Sequence, residues 1–176
     1  YSSPDRSLLT GQMDTAICNG KARMSYWVYR ASEGNSLTTY FSGNAAHERD
    51  VAVRVAAKTG KLSYANGDQW IEANAFVPMN QWYPIAIEVN VDALTYSAFA
   101  GDKAQAIATD IAIAPPKDRY VSHHGEETVR HKVPSYRIFN ALVFVPTEGS
   151  TEPIYLDDVL VQWQPTMHYT VSGKNV

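Results

Sequence analysis

The sequence predicts an all-β fold, a two-sheet antiparallel β-sandwich, and three observations support this prediction. Almost every patterned stretch alternates apolar and polar residues with a period of two, which is typical of half-buried strands. No segment keeps a helical period with caps for longer than two turns. Eight or more such strands follow at short spacing without the glycine pattern of a Rossmann fold, and this combination favours two packed sheets.

The chain is long enough to fold as one domain without a disulfide or metal staple. Its 176 residues lie in the usual range for a single domain. The only cysteine, Cys18, excludes an internal disulfide, and we expect it to be a small buried hydrophobe. We assign residues 1–165 to one sandwich domain and the polar residues 166–176 to a C-terminal tail or linker.

Charge and hydropathy argue against nucleic acid and membranes as partners. The 15 Lys and Arg residues against 18 Asp and Glu give a formal net charge of −3, so no basic field exists to attract nucleic acid or anionic lipid. The chain has no continuous apolar run of the length that a membrane span needs. Aromatic residues stand out instead, because they make up 11% of the chain.

The strands follow from the alternation and from the turns between them. Their predicted ranges are 21–30, 37–42, 51–57, 61–65, 70–72, 84–92, 95–100, 105–114, 136–145 and 154–163. In the clearest of them Ile85, Ile87 and Val89 face inward, and a short turn joins this strand to the next in a hairpin. Residues 117–134 lack periodicity, and we expect a long polar loop there, either functional or mobile.

Three segments resemble the concanavalin A-like (laminin-G-like) jelly-roll family. Residues 80–102 resemble its central hairpin, in which a Trp opens a strand that ends in Asp. Residues 155–161 are similar to the closing strand shared with many carbohydrate-binding modules, and residues 22–32 to an early strand. The resemblance implies a jelly roll, whereas periodicity alone leaves an immunoglobulin-like topology open. It implies little about function, because this fold hosts lectins, binding modules, glycoside hydrolases and polysaccharide lyases.

Asp157 and Asp158 suggest a structural calcium site. Neighbouring side chains in a strand point to opposite faces, so one carboxylate is expected to face inward, where it is costly without a partner. Calcium held by that carboxylate, backbone carbonyls and an N-terminal acid such as Asp14 or Asp5 would remove the cost. The resemblance implies the same, since related modules often hold calcium between the first and last strands. Simple capping of the strand by both aspartates is the alternative.

Arg23, Trp27 and Tyr29 are candidate ligand-binding residues. They share one face of the first predicted strand, opposite a face that is expected to pack between the sheets. Sugar recognition needs flat aromatic faces for the apolar side of a pyranose and polar groups for its hydroxyls. An exposed Trp and Tyr beside an Arg form an apolar patch that calls for a function, unless a loop covers them.

The histidine-rich stretch and the strand after it contain the residue types of a polysaccharide lyase. Such an enzyme needs a cation to neutralise a uronate carboxylate, and a Tyr or His to remove the C5 proton and protonate the leaving oxygen. The catalytic candidates are His123, His124, Arg130, His131 and Tyr136. Binding of an acidic sugar without chemistry would use His124, Arg130, His131 and Arg137. A solvated polar loop is the third interpretation.

Hydrolysis is disfavoured, because paired catalytic carboxylates must lie about 5–9.5 Å apart. Glu88 and Asp92 share a face of one strand, but four residues along a strand span about 13 Å.

We therefore expect a non-catalytic carbohydrate-binding or accessory module of a secreted polysaccharide-degrading protein. It would bind a polysaccharide or oligosaccharide by aromatic stacking and by Arg and His hydrogen bonds.

Two alternatives to the binding module remain. The first is a polysaccharide lyase acting on a uronate-containing glycan, so the question of enzymatic activity stays open. The second is a laminin-G-like adhesion or spacer module. The resemblance also implies a secreted or cell-surface location and a larger multidomain chain.

Overall fold

The computed structural model describes residues 9–43, 51–113, 119–123, 126–131, 139–146 and 152–166. The strands of this part of the chain are β1 (Leu9–Ile17), β2 (Lys21–Tyr29), β3 (Leu37–Gly43), β4 (Ala52–Val55), β5 (Lys61–Asn66), β6 (Gln69–Phe76), β7 (Trp82–Asn90), β8 (Thr95–Ala100), β9 (Gln105–Ala112), β10 (Arg119–His123), β11 (Glu126–His131), β12 (Phe139–Val145) and β13 (Tyr155–Gln164). None of the described residues belongs to a helix that could cross a membrane.

Two antiparallel sheets form the layers of a sandwich. The six-stranded sheet has the order β1-β12-β3-β4-β5-β6, and the five-stranded sheet has the order β13-β2-β7-β8-β9. Strands β10 and β11 pair with each other and, among the described residues, form a separate two-stranded ribbon. The predicted two-sheet antiparallel sandwich is therefore confirmed.

The core lies between the two sheets, where alternating side chains from both of them meet. In β2 the inward residues are at most 1% exposed, and they are Ala22, Met24, Tyr26 and Val28. Ile85, Ile87 and Val89 of β7 are equally buried, as predicted from the alternation. The six-stranded sheet contributes Phe41, Val53 and Leu62 among others. Each side chain of this size adds about 1.5–3 kcal/mol when it is fully buried, so this shared layer is the main source of stability.

Polar and aromatic contacts bridge the layers. The hydroxyl of Tyr96 on the five-stranded sheet donates to the backbone carbonyl of Ala65 on the six-stranded sheet. Tyr26 meets Phe144 edge to face, with ring centroids 5.3 Å apart. Such pairs are worth about 0.5–1.5 kcal/mol beyond the area they bury, and they fix how the sheets face each other.

Both edge strands of the five-stranded sheet are interrupted by an aspartate in the left-handed region. Asp158 in β13 has φ 48°, and Asp110 in β9 has φ 49°. The pairing register shifts at these places, between Asp157 and Leu160 in one strand and opposite Tyr96 and Ala98 in the other. Bulges at edges twist the strand and discourage pairing with other chains, so both edges of this sheet are protected.

The sequence predicted one long irregular loop over residues 117–134, and this prediction is wrong. The stretch contains the antiparallel hairpin of β10 and β11, with His123 paired to Glu126. The missed signal is Gly125 in a two-residue connection between runs that contain Tyr, Val and Thr, a pattern typical of hairpins. Cys18 is also exposed rather than buried, because it follows β1 in the short turn that leads to β2. Residues 167–176 of the predicted tail lie outside the described chain.

Candidate functional site

The outer face of the five-stranded sheet arranges its side chains in rows. Residues directly paired across antiparallel strands lie on the same face, so the register of β13, β2 and β7 defines each row. One row consists of Tyr155, Tyr29 and Trp82, and we call it the aromatic row. The next consists of Asp157, Trp27 and Pro84. At about 4.8 Å between strands, each row extends about 10 Å across the sheet.

The two outer rings of the aromatic row are exposed. Trp82 is 43% exposed and Tyr155 is 50% exposed, while Tyr29 lies half-buried between them. The centroid of Tyr29 lies 5.4 Å from that of Trp82, with 52° between the planes, and 6.1 Å from that of Tyr155, with 68°. Because the rings are inclined, a ligand ring stacked on Trp82 or Tyr155 meets the edge of Tyr29 beside it.

Trp27 and Asp157 form the second row beside these rings. Trp27 is half-buried and lies directly between Asp157 and Pro84. Asp157 is exposed, and its Oδ1 accepts the backbone N–H of Asp158 at 2.8 Å. This local bond holds one oxygen of the exposed carboxylate at the bulge, and no hydrogen bond to its second oxygen is found among the described residues. An anchored acceptor therefore stands next to the aromatic row.

Arg23 does not belong to this group, although the sequence placed it with Trp27 and Tyr29. Its guanidinium lies 3.5 Å from Oε2 of Glu88 and 5.2 Å from the ring centroid of Phe99. To reach Phe99 on β8, the side chain crosses β7, which explains why the outward-facing Ala86 is only 6% exposed. Arg23 thus contacts Glu88 and Phe99, and its own position on β2 lies two rows away from Trp27.

A buried arginine fixes the end of the sheet that carries the aromatic row. Arg30 follows Tyr29 directly and is 1% exposed. Its Nη1 donates to the carbonyl of Val77 at 2.8 Å, and its Nη2 to the carbonyl of Lys58 at 3.4 Å. Its own carbonyl accepts the N–H of Asn80 at 2.8 Å, just before Trp82. Burial lowers the pKa of Arg30, and the nearby Glu33 acts in the opposite sense.

Gly60 makes room for this arginine. It has φ 69°, and a Cβ at this position would overlap both Nη1 of Arg30 and the carbonyl oxygen of Val77. A side chain here would displace the guanidinium from its two carbonyl partners. Gly60 therefore helps to set the approach to β7 and the position of Trp82 at its start.

The premise of the predicted calcium site is wrong, because neither Asp157 nor Asp158 is buried. Asp157 already accepts a backbone N–H, and Asp158 adopts φ 48° at the bulge. No group of three potential metal ligands occurs among the described residues. These aspartates alone do not fit a calcium site. The side chain of Asp14 in β1 lies outside the described part, so the calcium site stays a prediction.

The residues predicted for a lyase fall on the hairpin and next to it. His123 lies opposite Glu126 at the turn end of the hairpin, and His131 lies opposite Arg119 at its other end. Four residues along a strand separate these two positions by about 13 Å of backbone, so the hairpin does not bring the two histidines together. Arg130 lies in β11. The side chains of these three residues, and all of His124, Tyr136 and Arg137, lie outside the described chain.

The outer face of the six-stranded sheet also carries a tryptophan, but one that is covered. The guanidinium carbon of Arg54 lies 4.5 Å from the ring centroid of Trp70, which places the cation over the ring. Beside this pair, Lys61 and Glu72 form an ion pair. A ligand that stacks on Trp70 has to displace its own cation first.

Sequence reasoning found one residue pair of the site and missed the others. Trp27 and Tyr29 were identified from the alternation of β2, whereas no pattern in the sequence placed Trp82 or Tyr155 beside them. Both open a strand, at Trp82 of β7 and Tyr155 of β13. The missing information was the register that places the two strand starts on either side of Tyr29.

Comparison with solved structures finds the same sandwich elsewhere. A sialidase structure gives a TM-score of 0.62 at 9% identity over 90% of this chain, which spans 14% of the sialidase's length. A congerin II double mutant gives 0.50 at 10% identity, over 90% of this chain and 100% of its own. A galectin from Caenorhabditis elegans, LEC-6, gives 0.47 at 12% identity, over 92% and 93%. No family model and no curated protein matches the sequence. The chain thus has the concanavalin A-like jelly-roll fold that its sequence resemblance implied.

Proposed function

We propose that this domain is a non-catalytic carbohydrate-binding module that holds glycans on the aromatic row. The observation that carries the proposal is the pair of uncovered rings, Trp82 at 43% and Tyr155 at 50% exposure, on either side of Tyr29. Contiguous exposed rings are costly in a soluble protein unless they bind something. The likeness to part of a sialidase, by its name an enzyme of glycans, supports a glycan as the ligand.

In the proposed binding mode, aromatic rings stack on the sugar and a carboxylate accepts hydrogen bonds from its hydroxyls. The apolar face of a pyranose stacks on Trp82 or Tyr155, where it removes apolar surface from water without burying hydroxyls. The hydroxyls around the edge of the sugar stay free to donate to Asp157 or to bind water. Tyr29 is already packed on both sides, so it needs no reordering when the ligand arrives.

We also propose that the module belongs to a larger secreted or cell-surface protein that degrades polysaccharides. The sequence resemblance supports this placement, and the matched part of the sialidase is likewise a small portion of a longer chain. The lyase alternative rests on side chains outside the described residues, and it stays a prediction. The appearance of ultraviolet absorbance typical of an unsaturated product, on addition of a uronate polysaccharide, would establish it.

Substitution of the exposed rings tests the binding proposal. Trp82→Ala and Tyr155→Ala should each weaken binding to a polysaccharide that retards the wild-type protein in affinity gel electrophoresis. We expect a loss of about 2 kcal/mol for Trp82→Ala, about 30-fold in the dissociation constant, as for a buried aromatic anchor.

The matched control is Phe76→Ala, which removes a ring that is 59% exposed on the other sheet. Its binding should equal that of the wild type. Equal retardation of the wild type, Trp82→Ala and Phe76→Ala on every polysaccharide of a broad panel would contradict the proposal and favour the spacer alternative.

A further inference from the structure

Two carboxylates stand beside the aromatic row with no cation to balance them among the described residues. Asp157 is the direct neighbour of Trp27 in the second row, and Asp158 follows it at the bulge. Both are exposed. Neither forms an ion pair within the described part of the chain. The local charge beside the exposed rings is therefore negative.

The described part of the chain also contains cations on or next to the strands and loops that carry the row. Arg23 is paired with Glu88 at 3.5 Å. Lys58 donates its backbone N–H to the carbonyl of Glu33, so these two oppositely charged residues are neighbours. Arg30 is buried beneath the row, with its Nη atoms bonded to backbone carbonyls.

A fourth cation, Lys103, directly follows Asp102 in the turn between β8 and β9. Of these cations, Arg23 is ion-paired and Arg30 is buried. Asp157 has no ion pair among the described residues and is the direct cross-strand neighbour of Trp27, so it places a negative charge beside that ring.

We infer that the aromatic row selects neutral glycans and rejects acidic ones, and that Asp157 is the residue responsible. This inference rests on the proposed function. A uronate or other anionic sugar stacked on the row brings its carboxylate toward that of Asp157, where the two repel and both lose water. A neutral sugar presents hydroxyl donors instead, and a carboxylate accepts these in charge-assisted hydrogen bonds.

The bulge positions Asp157 for this role. The N–H of Asp158 occupies Oδ1, so the carboxylate is fixed while its second oxygen can accept a hydroxyl from a sugar on the neighbouring ring. An asparagine at this position keeps an oxygen for the same N–H, removes the charge and replaces the second oxygen by an NH2 donor. Asp157→Asn therefore changes selectivity without removing the local bond that supports the bulge.

Oligogalacturonides before and after complete methyl esterification test the charge preference, because the two share one backbone and differ in charge. The wild type should bind the esterified, neutral oligomer more tightly. In Asp157→Asn the ratio of the two affinities should shift toward the acidic oligomer by about fivefold, the factor for about 1 kcal/mol between charges about 4 Å apart in water. Asp68→Asn, which removes an exposed charge in the turn between β5 and β6, should leave the ratio unchanged.

Ionic quenching of tryptophan fluorescence tests the field without any ligand. Caesium should quench the wild type more strongly than Asp157→Asn, and iodide should quench it less strongly, because Asp157 attracts cations to Trp27 and repels anions. Tighter binding of the acidic oligomer by the wild type overturns the inference and leaves the proposed function standing. Identical quenching of wild type and Asp157→Asn by both ions also overturns it, whether or not either oligomer binds. Failure of the proposed function itself is seen separately, in the Trp82→Ala comparison.

Discussion

Both outer faces of this sandwich carry a tryptophan, which is covered by a cation on the six-stranded sheet and exposed on the five-stranded sheet. On the six-stranded sheet Arg54 lies over the ring of Trp70 at 4.5 Å, and an ion pair between Lys61 and Glu72 stands beside it. On the five-stranded sheet Trp82 stands at the end of a row of rings, 43% exposed. A tryptophan on a sheet surface is therefore not by itself a binding residue. What distinguishes a stacking site is that no side chain of the same protein already occupies the ring.

The second difference between the faces is how firmly the ring is supported. Trp82 follows a segment that is bonded to Arg30 through Asn80, and Arg30 is itself held by carbonyls of two loops. The support on the other face is local, because Arg54 and Trp70 lie on strands on either side of β5. A rigid ring loses little conformational freedom when a ligand arrives, and this favours the five-stranded face as the binding surface.

The largest effect is expected when the support of the aromatic row is removed. Gly60→Ala should lower the free energy of unfolding by about 3 kcal/mol or more, because the new Cβ overlaps Arg30 and leaves a buried charge without its partners. Gly67→Ala is the matched control, since Gly67 also has a left-handed φ, 58°, but nothing lies near its Cβ position. The control should lose only about 1 kcal/mol from backbone strain. Equal losses in urea denaturation would show that Arg30 does not depend on Gly60.

An intermediate effect on stability is expected at high pH, from tyrosines that are buried in the fold. Tyr26 points into the core, where its hydroxyl has no hydrogen-bond partner among the described residues. Burial raises the pKa of Tyr26, and the neighbouring Thr39 hydroxyl acts in the opposite sense. Burial and Asp102 also raise the pKa of Tyr83.

A tyrosine with a raised pKa holds its proton longer in the folded state than in the unfolded state, so its contribution to stability is complete below about pH 10. Above that pH each such tyrosine lowers the free energy of unfolding, by at most about 1.4 kcal/mol per pH unit. Tyr26→Phe should remove its share of this loss and, at neutral pH, change stability by about 1 kcal/mol or less. An alkaline unfolding profile identical to that of the wild type would contradict this account of Tyr26.

The smallest effect concerns the covered ring. Arg54→Ala should cost about 0.5–1 kcal/mol of stability, the usual value of an exposed cation–π pair. It should also make Trp70 more accessible to acrylamide quenching. If the covering cation is what prevents Trp70 from binding glycan, the Arg54→Ala variant should show a second binding site in glycan titrations. Unchanged quenching would show that Arg54 does not cover Trp70 in solution.

The sequence predicted well which face of its sheet a residue occupies, but poorly which residues it contacts. Alternation in β2 and β7 identified Met24, Val28 and Ile87 as inward residues, because burial of one side of a sheet imposes a period of two. The same alternation placed Trp27 and Tyr29 outward. Arg23 has the same spacing and was grouped with them, yet its long side chain crosses a strand to Glu88 and Phe99. The reach of a flexible side chain cannot be inferred from periodicity.

The rest of the site depends on contacts between distant parts of the chain. Tyr155 and Tyr29 are separated by most of the sequence and become neighbours only through the register of β13 on β2. Arg30 directly follows β2, and its burial depends on Gly60 and on the carbonyl of Val77. A pattern within one strand contains no information on which loops close over its end.

The indole N–H signals of the four tryptophans offer the most direct test of the central claim. Each gives one cross-peak in a proton–nitrogen correlation spectrum, assigned by single Trp→Phe substitutions. Titration with a neutral oligosaccharide that binds the wild type should shift the signals of Trp82 and Trp27. Those of Trp70, under Arg54, and Trp163, whose Nε1 donates to the carbonyl of Asn19 at 2.9 Å, should stay in place. Shifts confined to Trp70 would place the binding surface on the opposite sheet and contradict the account.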